Sequence, residues 1–374
     1  IAECRGQTMK LGIIVQCPSP HQKILLDRLF QVPGVDAVVA YAFPTSPNRN
    51  WGIPLADGRT MAVPYRPGFG AGRALRQWIA SMRCDAWVLG SIITAFRTQL
   101  LVSALCAEGV PWAYLGEPPR PRSGWRAIVR NYLLHRVLRG CNGVIATGNE
   151  AARRYRALLG DGRPVTSVPY YIPLADWLAL PLIKMPPSVD PIRFLAVAQL
   201  IPRKGLDILI EACSRPPATG WTLDVYGEGP ERERLQASID ARGLPITLHR
   251  PVAFDRRMDV FRDKHCFVFP SRWDGWGMAV VEALAAGLPV ISSDQAMSAH
   301  DFIRSGINGR IVPCDPGAFA GAMVEVLRQP QKLPAESSAA RESVRGYDPE
   351  NGAREIVRFC EAMRRPTPIG GVIA

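Results

Sequence analysis

From Lys10 onward, short apolar, β-branched runs alternate with longer amphipathic stretches, and few folds accept that rhythm. Strands fit 10–16, 35–41, 85–89 and 111–115, and helices fit 21–31, 71–82 and 93–108. Such alternation predicts a parallel sheet with helices on its faces. A helix near 124–139, a strand at 142–146, a helix opening at Asn149 and Glu150, and a strand at 165–168 complete this half. Next comes a break marked by Pro169, Pro173, Pro181, Pro186, Pro187 and Pro191. The stretch 172–190 reads as an interdomain linker. The rhythm then restarts, with strands at 192–198, 221–226, 246–249, 265–269, 289–292 and 309–312. Helices fit Lys204 to Ala212, Pro230 to Ala241, 256–263, 277–286, 298–304 and 316–328. The expected fold class is α/β, two doubly wound Rossmann-like domains facing a central cleft. In such sheets ligands bind beyond the carboxyl ends of the strands, so polar residues just past those ends are the candidates.

Length agrees with two domains, since 374 residues exceed what one core usually organises. The longest apolar runs, such as Leu11 to Val15, are far shorter than a spanning helix requires. Nine cysteines, with no CxxC pair and no His at ligand spacing, point to reduced, mostly buried thiols and away from a zinc site. No secretory signal is visible, because Lys10 is followed by only a short apolar run before Gln16. Met9 reads as the natural start, with residues 1–8 as upstream or added sequence. These features place the protein in the cytoplasm, with the inner face of the membrane as a candidate surface. Charge is uneven: residues 1–180 hold 21 Lys+Arg and 10 Asp+Glu, net +11, out of +12 for the chain. A basic half attracts nucleic acid, an anionic membrane surface or an acidic substrate, or is an Arg-rich solvated face.

Two segments carry candidate chemistry. The first runs from Phe269 through Asp274, Gly275, Trp276, Gly277 and Met278 to Glu282, ending at Gly287-Leu288-Pro289-Val290. A strand ends there, a glycine-interrupted loop follows, and a helix opens near Gly277. Free amides and the helix dipole favour an anion at that point, and the glycines let backbone approach a ligand. Asp274 and Glu282 bracket the loop. Their plainer reading is a helix-capping Asp and a surface helix carboxylate. The second segment is Ala198-Gln199-Leu200-Ile201-Pro202-Arg203-Lys204-Gly205, again at a strand end. A lysine at a helix N-terminus opposes the dipole, so Lys204 suggests an anionic partner, or is simply solvated.

In this order and separation, the two segments resemble the C-terminal domain of retaining glycosyltransferases with the GT-B fold, the large family four group (glycosyl transferases group 1). Asp274, Glu282 and Gly287-Leu288-Pro289-Val290 match its acidic pair and following turn. Arg203-Lys204-Gly205, Tyr226-Gly227-Glu228-Gly229-Pro230 and Gly306-Ile307-Asn308-Gly309 match three further motifs. The resemblance is strong over 192–330 and weak over 10–180. It implies that Glu282 bonds the ribose hydroxyls of a nucleotide and that Lys204 binds the donor diphosphate. It also implies that Asp274 with the backbone of Gly275 to Met278 holds the donor sugar. No metal or other cofactor is implied, because fixed positive groups and the helix N-terminus neutralise the leaving diphosphate. The implied layout is an acceptor-binding domain over 9–175 and a nucleotide-sugar-binding domain over 190–345, with a final helix near 349–364 crossing back onto the first. The sequence departs from the family in three ways that concern the site. Asp274 stands where a glutamate is usual, one methylene shorter, which changes the expected donor-sugar geometry. Gln199 stands where an arginine is usual, so Arg203 or an arginine of the first half would supply that charge. Arg250-Pro251 replaces a glycine near the region that resembles the nucleobase pocket.

In the first half, His21 follows the first strand and is a candidate for contacting acceptor or donor sugar, or is a residue of a helix N-terminus. Gly116 stands where many relatives carry a donor-contacting histidine, which makes the adjacent Glu117 a candidate. Beyond lie Arg120, Arg122, Arg126, Arg130, Arg136 and Arg139, with Trp125, Ile128 and Tyr132 at helical spacing. One reading is a helix packed on the sheet with arginines outward; the other is attraction to anionic lipid or glycan. The expected function is transfer of a sugar, with retention, from a nucleotide-sugar to a glycan or lipid-linked acceptor in surface polysaccharide or glycoconjugate synthesis. The rivals are a sugar-nucleotide 2-epimerase-like enzyme and a non-catalytic binder of anionic glycan on a degenerate transferase fold. Nucleic acid is not an expected partner, because no stacking platform or binding motif is present.

Overall fold

The computed structural model of the protein describes residues 8–44, 58–120, 123–183, 191–215 and 219–364. The questions raised by residues 1–7, Arg122, Pro186 and Pro187 therefore lie outside the described residues. The chain divides into two compact units, residues 1–171 with 349–374, and residues 172–348.

The first unit is built on seven parallel strands: β1 (Met9–Val15), β2 (Val35–Tyr41), β3 (Thr60–Ala62), β4 (Ala86–Gly90), β5 (Trp112–Gly116), β6 (Gly143–Ala146) and β7 (Val165–Ser167). Helices α1 (Pro20–Leu29), α2 (Ala71–Met82), α3 (Phe96–Glu108), α4 (Trp125–Gly140) and α5 (Asn149–Leu159) connect them. The order across the sheet is β3-β2-β1-β4-β5-β6-β7, so the winding reverses between β1 and β4. The β1 side chains are almost all buried, which explains its near-continuous apolar run. Ser19 caps α1 by accepting from the Gln22 amide, and Pro20 pre-sets its first turn.

The second unit opens on α6 (Leu174–Leu178) and continues with β8 (Ile192–Val197), α7 (Leu206–Ala212), β9 (Trp221–Tyr226), α8 (Arg232–Asp240) and β10 (Ile246–His249). Then follow β11 (Cys266–Phe269), α9 (Met278–Ala285), β12 (Val290–Ser293), α10 (Met297–Phe302), β13 (Gly309–Val312), α11 (Pro316–Arg328) and α12 (Leu333–Ser343). All six strands are parallel in the order β10-β9-β8-β11-β12-β13, and here the reversal lies between β8 and β11. Both units are the doubly wound α/β sheets the sequence predicts. The last helix, α13 (Pro349–Arg364), returns to the first unit and packs on α1, burying Ile356, Val357 and Cys360.

Several local expectations are corrected. The proline-rich stretch is not all linker: α6 places Trp177 fully inside the second unit, its ring edge-on to Phe261 at 5.0 Å. A bulky indole excluded from water anchors chain that proline spacing alone reads as a connection. The segment expected as a helix over 256–263 is a 3-10 helix spanning Phe254–Phe261. Helix α12 and the short edge strand β3 have no counterpart in the sequence reading. Lys204 does not open a helix, since it ends the 3-10 turn Pro202–Lys204, and α7 begins beyond Gly205. The eight described cysteines are thiols, six of them buried.

Candidate functional site

The site is built where the second sheet reverses. Strands β8 and β11 are neighbours there, and the segments leaving their carboxyl ends are Val197 to Gly205 and Pro270 to Met278. Open α/β sheets leave a crevice at such a point because successive helices depart to opposite faces. The two segments are tied to each other. Arg272 forks onto Asp207 at 2.7 and 2.6 Å and donates to the Pro202 carbonyl, while its amide donates to the Arg203 carbonyl at 2.9 Å. Gly205 sits at φ +67°, and a Cβ there would fall 2.0 Å from the Pro270 carbonyl oxygen. Only glycine permits so close an approach of the two backbones.

Between these segments the ammonium of Lys204 pairs with Oδ2 of Asp274, both side chains largely buried. Arg203 donates to the Trp273 carbonyl at 2.8 Å and stands 3.8 Å from the same carboxylate oxygen. Lys204 also lies over the Phe269 ring, 5.3 Å from its centroid. Two cations and one carboxylate thus meet at a strand end, leaving a net positive cluster. Gln199, half-buried on the same loop, brings hydrogen-bonding capacity without charge. Arg203, on the same loop as Gln199, brings a guanidinium to the Asp274 carboxylate, 3.8 Å from its Oδ2.

Asp274 does not cap α9. Its Oδ1 accepts weakly from the Trp276 amide at 3.4 Å, and its own backbone bridges to the segment after β12, donating to Gln295 and accepting from Met297. The helix starts after Gly277, whose φ of +94° turns the chain into it, with no side-chain cap. The Val280 amide donates to the Gly277 carbonyl at 3.0 Å, and the amides of Met278 and Ala279 before it lie at the open end of the helix. Trp276 is buried, packed edge-on against Phe302 at 6.0 Å, so this position offers a ligand backbone and not an indole. Gly275 and Gly277 are buried as well, whereas Met278 is partly exposed.

Glu282, one and a half turns into α9, is 8% exposed and so is not a surface carboxylate. Arg257 donates from Nε to its Oε1 at 3.2 Å, and the guanidinium lies over the Trp177 ring, 5.5 Å from its centroid. Burial pushes the Glu282 carboxyl up to about 7, against the opposing pull of Arg257. Arg257 was not among the sequence candidates, because it sits in a segment whose periodicity reads only as amphipathic. Arg250 is exposed beyond β10. Arg232 of α8, not among the sequence candidates, donates to the Gly227 and His249 carbonyls at 3.1 and 2.7 Å and so locks the ends of β9 and β10 together.

The first unit has its own cavity of about 310 Å³, again at the point of reversal, between the segments that follow β1, β4 and β5. Gln16, Ser91, Glu117, Arg120, Arg130 and Tyr170 are among its lining residues. Tyr155 fixes the loop by donating to the Glu117 carbonyl at 2.7 Å. Burial and the adjoining Glu117 carboxylate hold the Tyr170 phenol well above its usual range. Glu117 thus falls in a cavity, as a polar residue past a strand end should. His21 lies in the first turn of α1 and is not among the lining residues. Among the described residues there is no group of three or more His, Cys, Asp or Glu able to hold a metal ion. No described helix is long and apolar enough to cross a membrane.

The chain is similar to known proteins. Residues 184–343 match the family model described as glycosyl transferases group 1. Over 121 residues the chain is 31% identical to the UDP-N-acetylglucosamine–peptide N-acetylglucosaminyltransferase GtfA subunit of Streptococcus agalactiae, covering 32% of this chain and 24% of that protein. It is 30% identical over 169 residues to the phosphatidyl-myo-inositol mannosyltransferase of Mycobacterium leprae, covering 43% and 44% of the two chains. The chain thus spans less than half the length of these curated relatives in the matched region. The structure of HepE from Anabaena, solved with UDP, superposes with a TM-score of 0.72 over 95% of this chain and 100% of that one, at 16% identity. That likeness shows a shared GT-B fold.

Proposed function

Because residues 184–343 match the family model described as glycosyl transferases group 1, we propose that this chain is a retaining glycosyltransferase that moves a hexose-type sugar from a nucleotide-sugar to a glycan or lipid-linked acceptor. The observation that carries this reading is the meeting of Lys204, Arg203 and Asp274 at the β8/β11 reversal, beside the open end of α9. A diphosphate laid there finds two cations and the positive end of a helix dipole, each of which stabilises the negative charge that grows as the sugar–phosphate bond breaks.

The chemistry follows from those groups. The bond between the sugar's anomeric carbon and the diphosphate oxygen breaks, the acceptor hydroxyl bonds to that carbon, and its proton leaves with the departing diphosphate or to solvent. Lys204 and Arg203 hold the diphosphate in this reading, and no metal is required for that charge. Asp274 keeps the Lys204 ammonium aimed inward and, once the diphosphate competes for the lysine, has an oxygen to accept from a sugar hydroxyl. Glu282 accepts from the ribose hydroxyls, with Arg257 fixing its orientation. A charge-assisted contact of this kind is worth about 1.5–3 kcal/mol. The acceptor lies against the cavity of the first unit, where Glu117, Arg120 and Arg130 offer both signs of charge to hydroxyls or an anionic group. A lipid-linked acceptor would bring the enzyme to an anionic membrane surface, consistent with the net +11 of residues 1–180.

The test is nucleotide release from a panel of UDP-, GDP- and ADP-sugars with EDTA present, with and without membrane extract. Release from one donor, stimulated by extract, supports the reading. Release indifferent to extract points to hydrolysis or epimerisation, and calorimetry that finds no nucleotide binding overturns the assignment of the site.

A further inference from the structure

Helix α4 carries two apolar stripes where a globular helix needs one. Ala127, Leu134, Val137 and Leu138 are buried and face the core of the first unit. Trp125, Ile128, Val129 and Tyr132 are 69%, 71%, 47% and 69% exposed. At about 100° per residue the second set centres roughly 180° from the first, so it forms a continuous stripe turned to water. The spacing of 125, 128, 129 and 132 is that of a helix face meeting an apolar partner. Isolated exposed apolar residues are ordinary, but four large ones on two adjacent turns are a patch with a purpose.

The charge around the stripe identifies the partner. From Trp125 to Gly140 the helix holds Arg126, Arg130, Arg136 and Arg139 and no acidic residue, and Arg126 lies beside the Trp125 ring, 5.4 Å from its centroid. A second copy of the chain would bring the same four arginines against these, so self-association is opposed. Ile128 and Val129 offer nothing for a nucleobase to stack on. Hydrocarbon beneath a negatively charged surface suits both halves of the pattern, with aromatic residues at the boundary and arginines in the headgroups.

We propose that the outward face of α4 docks on an anionic lipid bilayer, with Trp125, Ile128, Val129 and Tyr132 entering the interface and Arg126 and Arg139 contacting headgroups. The placement also has a use. Arg130, on the same helix, lines the cavity assigned above to the acceptor and donates to the Arg120 carbonyl on its rim. Docking α4 brings that rim to the membrane, which is where a lipid-linked acceptor would present its sugar. The link to the acceptor rests on the proposed glycosyl transfer; the docking itself does not.

The experiment is co-sedimentation of the full chain with phosphatidylcholine vesicles, and with vesicles containing roughly 30% phosphatidylglycerol. Partitioning should be at least about tenfold stronger on the anionic vesicles and fall several-fold in about 0.5 M salt. The triple variant Trp125→Ser/Ile128→Ser/Tyr132→Ser should lose about tenfold in partitioning. Arg126→Glu/Arg139→Glu should lose at least as much. All these side chains are exposed, so circular dichroism melts and nucleotide binding by calorimetry should match the parent chain. Equal binding to both vesicle types, or undiminished binding by the triple variant, overturns the proposal. So does light scattering that shows a dimer dispersed by the triple variant, or a gel shift that shows RNA held by this face. Vesicle binding without donor turnover would leave the docking standing and remove the transferase reading instead.

Discussion

Lys204 and Asp274, seventy positions apart in sequence, form an ion pair at the β8/β11 reversal, and the pair is half of the proposed donor site. A lysine held this way has its rotamers already fixed before a ligand arrives, so little side-chain entropy remains to be lost on binding. Replacing Lys204 with Ala should lower kcat/KM for the nucleotide-sugar by about 10- to 100-fold. The loss should appear in calorimetry with a nucleoside diphosphate and be small with the bare nucleoside. Equal loss with both ligands would move Lys204 away from the phosphates.

Glu282 titrates in a useful range. Burial raises its carboxyl from 4.5 to about 7, so the folded chain favours the neutral acid, and the associated stability is complete below about pH 4.5 and lost as pH rises through about 7. In the proposed site ribose binding would have the opposite sign, because the acceptor there is the carboxylate. Nucleoside affinity should therefore weaken about tenfold between pH 8 and pH 6. Using the nucleoside avoids the titration of a diphosphate. A flat profile for the parent chain, or the same slope in Glu282→Gln, would remove the carboxylate from ribose recognition.

Arg257 pairs with Glu282 at 3.2 Å, and in the proposed site it would act through that carboxylate. Arg257→Leu keeps bulk over Trp177 but removes the cation 3.2 Å from the carboxylate, so the midpoint of the nucleoside pH profile should move upward. Affinity measured well above that midpoint should recover most of the parent value, and Arg257→Lys should restore part of the shift. An affinity loss independent of pH would show a purely structural role.

A separate ion cluster supports the fold. Arg310 on β13 is 7% exposed and reaches Glu336 of α12 at 3.3 and 3.1 Å, and Glu325 of α11 at 2.8 Å. Glu336→Ala leaves a buried guanidinium short of its partner and should cost about 3–5 kcal/mol in denaturant unfolding. Glu325→Ala removes a carboxylate that is partly in water and should cost less than about 1 kcal/mol. Equal losses would mean that the cluster is screened throughout.

Both sheets were legible in the sequence because fully buried parallel strands read as short continuous apolar runs, and Leu11 to Val15 is such a run. The candidate ligands past β8 and β11 were legible for a related reason, since strand ends and glycines mark where backbone turns back. What sequence could not show was pairing. Nothing along the chain announces that Asp274 neutralises Lys204, or that Arg257 belongs to Glu282, because these contacts depend on how loops fold over one another. Nor does periodicity say which of two apolar stripes on α4 faces the core. Trp177 hides in a run of prolines for the converse reason: a five-residue helix is too short to leave a period, and only its burial shows that it is structural.

The return of α13 to the first unit has a consequence for biosynthesis. The strands and helices of that unit leave the ribosome well before residues 349–364, yet the surface that Ile356, Val357 and Cys360 cover stays open until those residues appear. The first unit to be synthesised is thus the last to be sealed. During the interval its apolar seam is exposed to chaperones and to aggregation, while the second unit, continuous in sequence, can already be complete.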